Sequence, residues 1–289
     1  TSNLSQNSKI ENIDTTRIDE ELEKDKIVIV AGFQGINEKG DITTLGRGGS
    51  DTTAVAIAAA LKAKHCYIFS DVDGVYTTDP NKISIAKKLE VLSYEEMLEI
   101  ANEGAKVLHT RCIEIGKKYK VPIITKSTFN NKPGTLLQDK IEDTNVKSIV
   151  KNDDIIIVKM RYDTYLPDLA YKLFYTMNKN NIEINNFINN SNHSTEFIFT
   201  INSQILIKFQ SLLETELKGF ETTYSNITKI AIIGYGIKND KKILEKTMEI
   251  IELNKLEILY FEINESKISI LFNQKIPNAI LEQLHKTLL

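Results

Sequence analysis

Short apolar runs alternate with polar, glycine-containing loops in the first half of the chain. Residues 26–31 and 66–69 are continuous apolar runs of strand length, and a turn at 37–41 returns the chain from the first run towards a glycine-rich loop. Uninterrupted apolar runs of this length are typical of parallel strands buried on both faces. The pattern predicts an α/β domain whose loops meet beyond the carboxyl ends of these strands, where such sheets bind ligands.

The glycine-rich loop spans residues 43–54 and leads directly into an apolar, alanine-rich helix predicted to begin near Thr52. Glycines let backbone N–H groups turn towards a ligand, and a helix N-terminus favours negative charge. Arg47 offers a planar guanidinium suited to a carboxylate or phosphate, while Ser50 and Asp51 can cap the helix or act in the site. The alternative is a flexible loop with an ordinary N-cap. We interpret the loop as an anion-binding site.

A second loop, residues 70–80, follows the apolar run at 66–69 and is rich in aspartate, with one glycine and one tyrosine. Because it follows a strand of the same predicted sheet, we expect it to lie beside the glycine-rich loop. The alternative is a solvated turn rich in aspartate and threonine.

Six segments containing these features together resemble the aspartokinase family: residues 30–35, 46–54, 71–80, 93–97, 104–109 and 133–135. The resemblance covers roughly residues 26–137. It implies an αβα sandwich of amino-acid kinase type. It also implies ATP-dependent phosphorylation of the side-chain carboxylate of L-aspartate, the first step towards lysine, threonine and methionine, with Mg²⁺ on the nucleotide phosphates.

The resemblance also implies roles for individual residues. Arg47 and Ser50 would bind aspartate, and Asp51 and Lys106 would be catalytic. The implied ATP-binding residues are Ser70, Asp71, Tyr76, Lys106 and Val107. Asn81 stands where many members of the family have arginine, so this position departs from the pattern.

One part of the family pattern is missing from this sequence. Family members begin with a strand and a Lys-Phe-Gly-Gly-type loop whose lysine contacts the transferred phosphate, whereas this chain begins Thr1-Ser2-Asn3. We therefore expect residues 1–140 to be the C-terminal part of a kinase domain, and we expect the chain alone to be inactive.

Three residues in this half invite a functional interpretation but are assigned structural roles. Residues 101–118 show an amphipathic pattern that predicts one helix carrying Lys106 and His109. A single histidine without a second ligand nearby is a poor metal or base candidate, so we expect His109 to be structural. Cys66 and Cys112 are predicted to be small buried residues, since two cysteines in 289 residues suggest no disulfide framework.

The second half of the chain contains two successive β-α-β-β-α patterns, which predict ferredoxin-like α+β units at 141–225 and 226–289. A short apolar run at 146–150 is a candidate for the missing last strand of the second unit. The units resemble paired ACT domains, which implies a homo-oligomer and an amino-acid effector such as lysine or threonine. The implied effector contacts are Asn185, Asn189 and Asn190; the alternative is a merely asparagine-biased composition.

Composition excludes several classes of protein. A net charge of −3 without a basic stripe argues against nucleic-acid binding, and no apolar run is long enough to span a bilayer. We expect a cytoplasmic protein. Two alternatives to an aspartate kinase stay open: a noncatalytic sensor or assembly module, and a kinase for another carboxylate such as glutamate.

Overall fold

A computed structural model describes residues 1–3, 5–105, 107–139, 145–190 and 194–289. The described chain contains a two-stranded hairpin, a four-stranded sheet and a six-stranded sheet. Lys106, which the sequence analysis places in the nucleotide site, lies outside the described residues. The architecture is mixed α/β, as the sequence predicts.

The first half is built around the four-stranded sheet. Its elements are α1 (Thr16–Leu22), β1 (Gln34–Ile36), β2 (Ile42–Thr44), α2 (Gly49–Ala60), β3 (Cys66–Ser70), β4 (Val91–Ser93), α3 (Tyr94–Asn102), α4 (Thr110–Tyr119), β5 (Ile123–Ser127) and β6 (Thr135–Gln138). The strand order is β3-β5-β6-β4; β3 is parallel to β5 and β4 to β6, while β5 and β6 are antiparallel. Residues from α2, α3, α4 and the sheet share one core, in which Met97, Ile113 and Ile123 are fully buried.

The strand predicted for residues 26–31 is wrong. This segment has no regular secondary structure, and the side chains of Ile27 and Ile29 are each 93% exposed. A strand is held by hydrogen bonds to neighbouring strands, and none of the described strands pairs with this segment. The run at 66–69 does form β3, but β3 is an edge strand that is buried on one face only, with Tyr67 and Phe69 more than half exposed.

The single helix predicted for residues 101–118 is also wrong. Helix α3 ends at Asn102, and Gly104 adopts a positive φ of 106° that takes the chain out of helical geometry. Helix α4 then begins at Thr110, with the His109 side chain accepting a hydrogen bond from the backbone N–H of Arg111. The amphipathic period therefore continues across two separate helices, and His109 has the structural role expected of it.

The second half forms the six-stranded antiparallel sheet. Its elements are β7 (Ser148–Tyr162), α5 (Asp168–Lys179), β8 (Asn185–Asn189), β9 (Thr195–Asn202), α6 (Leu206–Thr215), β10 (Glu221–Ile233), α7 (Lys241–Leu253), β11 (Ile258–Ile263), β12 (Lys267–Phe272) and α8 (Asn278–Leu288). The strand order is β11-β12-β10-β7-β9-β8, which places the two longest strands at the centre. We call this the C-terminal sheet.

Strands β7 and β10 each run through both halves of the C-terminal sheet. Residues Ser148 to Lys151 pair with Ile230 to Ile233, at the place where the sequence analysis puts a completing strand, and the far end of β7 pairs with the start of β10. One core lies under α5 and α6 and a separate one under α7 and α8. The domain limits at 140/141 and 225/226 stay predictions.

Cys66 and Cys112 are both free and buried. Burial raises the pKa of the Cys66 thiol to about 11 and that of Cys112 to about 12, so both remain protonated at neutral pH. Across the described ranges, none of the helices combines the length and apolar character needed to cross a membrane.

Candidate active site

The glycine-rich loop forms a tight turn at the N-terminus of α2. Gly48 is the N-cap residue with φ of 68°, in the left-handed region, and α2 begins at Gly49, three residues earlier than predicted. The N-cap glycine has no side chain, and α2 begins before Ser50 and Asp51, so the capping role considered for these two residues is wrong. Free N–H groups at this helix end therefore remain available to an anion.

Arg47 and Ser50 are exposed on this turn, which we call the anion turn (residues 46–50). Within the described part of the chain, the Arg47 side chain makes no hydrogen bond or ion pair. Asp51 points into a less exposed position in the first turn of α2, where burial raises the pKa of its carboxyl group and the nearby His109 partly opposes that shift. The three candidate residues therefore lie within one helical turn.

The loop at 70–80 is ordered by its own side chains. The Tyr76 hydroxyl donates a hydrogen bond of 2.7 Å to Asp73 Oδ1, and this bond holds the pKa of Asp73 below its usual value. Lys88 Nζ lies 3.8 Å from the other oxygen of Asp73. The Ser70 hydroxyl contacts the backbone of Val72. Sequence reasoning missed Asp73 and Lys88 as partners, although Asp73 lies within a segment that carries the family resemblance.

A cavity of about 730 Å³ opens against this loop. Three of the predicted nucleotide residues line it: Asp71, Tyr76 and Val107. Ser70 and the residues of the anion turn do not line it. Its opposite wall comes from β7 of the C-terminal sheet, through residues 148–154, a contribution that no local motif in the sequence indicated.

A short segment joins the cavity to the anion turn. We call residues 104, 105 and 107–111 the linking segment. Gly104, Ala105 and Val107 line the cavity. At the other end, the His109 ring packs against Gly48, and the Arg111 guanidinium donates to the backbone carbonyl of Leu45. The segment therefore lines the cavity at one end and contacts the anion turn at the other.

The loop at 70–80 is also tied to the C-terminal helix. His285 is 2% exposed, and its Nε2 lies 2.7 Å from the Thr77 hydroxyl, which accepts a hydrogen bond from the Lys87 backbone N–H. The Thr77 proton is thus free to point at a neutral imidazole. Burial, reinforced by Lys87 and opposed by Glu282, lowers the pKa of His285.

We expect this histidine to make stability depend on pH. Its pKa is lower in the folded than in the unfolded protein, so its contribution is complete above about pH 6.5 and is lost as pH falls towards the folded value. His285→Gln, which retains an acceptor for Thr77, should flatten the pH dependence of the free energy of unfolding by up to about 1.4 kcal/mol per pH unit. Urea unfolding between pH 5 and 7.5 measures this; parallel curves for both proteins would contradict it.

The predicted effector residues do not line the cavity and lie on or next to the edge strand of the C-terminal sheet. Asn185 and Asn189 are exposed on β8, and Asn190 directly follows it, donating a hydrogen bond of 3.1 Å to Glu196. No group of three or more histidine, cysteine, aspartate or glutamate side chains among the described residues is arranged to hold a metal ion.

Comparison with known proteins gives consistent results. A model of the amino acid kinase family matches residues 1–127. The aspartokinase of Geobacillus stearothermophilus is 39% identical over 97% of this chain, which covers 70% of that protein.

Two crystal structures of E. coli aspartokinase III, one with aspartate and ADP and one with lysine and aspartate, superpose with TM-scores of 0.73 and 0.71 at 25% and 26% identity. In each case the match covers 89% of this chain and 59% of the other. The length and identity of the match to the Geobacillus protein, together with the site described above, show that this chain belongs to the aspartokinase family.

Proposed function

We propose that this protein is a kinase that uses ATP to phosphorylate the side-chain carboxylate of L-aspartate. The observation that carries the proposal is the linking segment, which contacts a nucleotide-sized cavity at one end and the anion turn at the other. A kinase must hold its nucleotide and its phosphate acceptor in a fixed relative position, because phosphoryl transfer depends mainly on positioning and on positive charge.

The anion turn is the proposed aspartate site. The Arg47 guanidinium can bind the α-carboxylate through two parallel hydrogen bonds, and Ser50 and the N–H groups of α2 supply further donors. Asp51, held beside His109 in the first turn, would orient the cationic groups around the reacting atoms. Arg47 suits this role because its side chain has no partner among the described residues that would have to be released when the ligand arrives.

The cavity is the proposed nucleotide site. Asp71, Tyr76 and Val107 line it, and Ser70 stands at the start of the same loop. The E. coli relative was crystallised with ADP, which agrees with a nucleotide in this family. Asn81 also lines the cavity and provides an amide where many relatives would have a cation. We also propose that Lys106 is catalytic and binds phosphate. The support for these roles is the family-like sequence around it, residues 104–109.

The chemistry needs little from the protein besides charge and geometry. An oxygen of the aspartate side chain forms a bond to the γ-phosphorus while the bond from that phosphorus to the bridging oxygen breaks, and ADP leaves with that electron pair. The attacking carboxylate is already ionised, so no general base is required. Mg²⁺ would enter with ATP as part of the substrate and neutralise phosphate charge.

The C-terminal sheet is the proposed regulatory part. Each half has the strand order of a ferredoxin-like unit, which supports the assignment of two interleaved ACT-type domains. One E. coli relative was crystallised with lysine, and an amino-acid effector such as lysine or threonine at Asn185, Asn189 and Asn190 remains our proposal. The exposed edges at β8 and β11 favour assembly as a homo-oligomer.

The test is a coupled ADP-release assay on the full product of the gene that encodes this chain, beside residues 1–289 alone. With ATP and Mg²⁺, we expect ADP release by the full product to depend on L-aspartate and to be at least about tenfold slower with L-glutamate, which has one more methylene. Calorimetric titration should show that both proteins bind Mg-ADP.

The other outcomes distinguish the alternatives. Preference for glutamate would make the chain part of a different carboxylate kinase. Mg-ADP binding by the full product without turnover on any amino acid would support a noncatalytic sensor or assembly module. If the full product shows no Mg-ADP binding and no turnover, the proposed nucleotide site itself is rejected.

A further inference from the structure

Four charged side chains lie between helix α3 and the C-terminal sheet, two of them buried and two partly buried. Glu99 and Glu103 lie one turn apart on α3 and at its C-terminal end, while Lys229 is on β10 and Lys267 on β12. The side chain of Glu103 is 4% exposed and that of Lys229 is 10% exposed. We call these four residues the buried charge cluster.

The cluster is fully paired. Glu103 Oε2 lies 2.8 Å from Lys229 Nζ, and Glu103 Oε1 lies 2.8 Å from Lys267 Nζ. Lys267 Nζ also lies 2.8 Å from Glu99 Oε2, while the other oxygen of Glu99 accepts a hydrogen bond of 3.0 Å from the Ser266 hydroxyl. Although burial disfavours the charge, the two glutamates raise the pKa of Lys267 above its usual value.

Such a cluster is poorly explained as a source of stability. Removing charges from water costs about as much as their attraction returns, so a well-packed apolar contact would hold these elements equally well. What an ion cluster adds is a fixed geometry, because both carboxylate oxygens of Glu103 are matched by lysines from two different strands. The cluster therefore specifies how the C-terminal sheet sits against the end of α3.

The end of α3 is where the linking segment begins. The Asn152 amide, on β7, donates a hydrogen bond of 3.3 Å to the carbonyl oxygen of Glu103, and a β-carbon at Gly104 would lie 3.2 Å from the same amide. Glu103, Gly104 and Asn152 all line the cavity. A change in how the sheet docks on α3 must therefore change the shape of the cavity.

The far end of the linking segment touches the anion turn. His109 packs against Gly48, and Arg111 donates both to the Leu45 carbonyl and, over 2.8 Å, to the Ser8 carbonyl. The segment is thus held by the C-terminal sheet at one end and contacts the proposed aspartate site at the other.

We propose that the buried charge cluster positions the linking segment and thereby couples the docking of the C-terminal sheet to the nucleotide cavity and the anion turn. Lys229 and Lys267 are positioning residues in this scheme and are not among the residues that line the cavity, whereas their partner Glu103 also lines it. The coupling to nucleotide affinity rests on the proposed function; the effect on the linking segment does not.

The test compares Lys267→Met and Lys229→Met with the unchanged protein by amide hydrogen exchange in the absence of ligand. Each substitution keeps an apolar stem but removes one charge from the cluster. We expect exchange in peptides covering residues 104–111 and 46–50 to become about threefold to tenfold faster, with little change elsewhere in the kinase part. Lys267→Arg, which keeps the charge, should restore the original rates.

The matched control is Lys117→Met. Lys117 also bridges to α3, through a 2.8 Å contact with Glu95, but from α4 and without touching the C-terminal sheet. We expect this variant to exchange like the unchanged protein. Unchanged exchange in both cluster variants would overturn the proposal, as would equal acceleration across the whole chain, which would indicate a general loss of stability.

Titration with Mg-ADP supplies the second measurement. If the cavity binds nucleotide, Lys267→Met should weaken binding about threefold to tenfold while Lys117→Met leaves it unchanged. If Lys267→Met and Lys117→Met bind Mg-ADP with equal affinity, the proposed coupling of the cluster to the nucleotide cavity is wrong. If the unchanged protein binds no Mg-ADP, the proposed function fails there, and the exchange data alone decide whether the cluster positions the linking segment.

Discussion

Replacing Arg47 with alanine is expected to weaken the binding of L-aspartate at least about tenfold while leaving the affinity for Mg-ADP nearly unchanged. Arg47 is exposed on the anion turn, without partners among the described residues, and it does not line the nucleotide cavity. Its loss removes a charge-assisted, two-bonded contact with the α-carboxylate and leaves the folded structure intact. Calorimetric titration of each ligand into the full gene product measures both effects.

Two variants separate the shape of the guanidinium from its charge. Arg47→Lys keeps the positive charge but loses the planar fork, so aspartate affinity should fall between those of the unchanged protein and Arg47→Ala. Lys39→Ala removes an exposed cation from the nearby turn between β1 and β2 and should bind aspartate normally. If Lys39→Ala and Arg47→Ala lose equal affinity for L-aspartate, only the overall positive charge of the surface matters. Arg47 would then not be part of the aspartate site.

Gly48→Ala is expected to lower the free energy of unfolding by about 2–5 kcal/mol. Two penalties combine at this position. The φ of 68° lies in the left-handed region, which costs an alanine about 1–2 kcal/mol, and a β-carbon would lie 2.7 Å from Cδ2 of His109 and closer still to its Cβ. His109 is the N-cap of α4, so it cannot move without disturbing that helix. Urea denaturation followed by circular dichroism measures the loss.

Gly40→Ala is the matched control for this substitution. Gly40 also has a positive φ, 84°, but a β-carbon there would meet nothing within 4 Å. Its cost should therefore be the backbone term alone, about 1–2 kcal/mol. If the two variants lose the same free energy of unfolding, the close packing of His109 on Gly48 adds nothing to the cost of Gly48→Ala. The linking segment would then not be held tightly against the anion turn.

The periodic elements of the second half could be predicted closely from the sequence. Both predicted β-α-β-β-α patterns are present, the first from β7 to α6 and the second from β10 to α8, because an apolar face repeats through each element. The turn before α2 was also predictable, since glycines allow the backbone conformations that a tight turn into a helix requires. The first residue of α2 was not predictable, because the N-cap is a glycine in the left-handed conformation and not a serine or an aspartate.

The errors come from properties that a local pattern does not contain. Whether residues 26–31 form a strand depends on a neighbour to pair with, and hydrophobicity alone cannot supply one. The break between α3 and α4 depends on one backbone angle at Gly104, while the apolar period continues on both sides. The buried charge cluster joins Glu103 to lysines 126 and 164 positions away, so only the folded topology brings these residues together.

The sharing of β7 and β10 has a consequence for the order in which the protein is made. Ser148 finds its partner only at Ile233, 85 residues later, whereas Glu221 pairs back onto Arg161 within the part already synthesised. At about 5–20 residues per second on the ribosome, the start of β7 waits several seconds as an unpaired edge after it emerges. The inner unit can close first, and the outer one can close only after nearly the whole chain has left the ribosome, so late truncations should expose a bare strand rather than remove a self-contained domain.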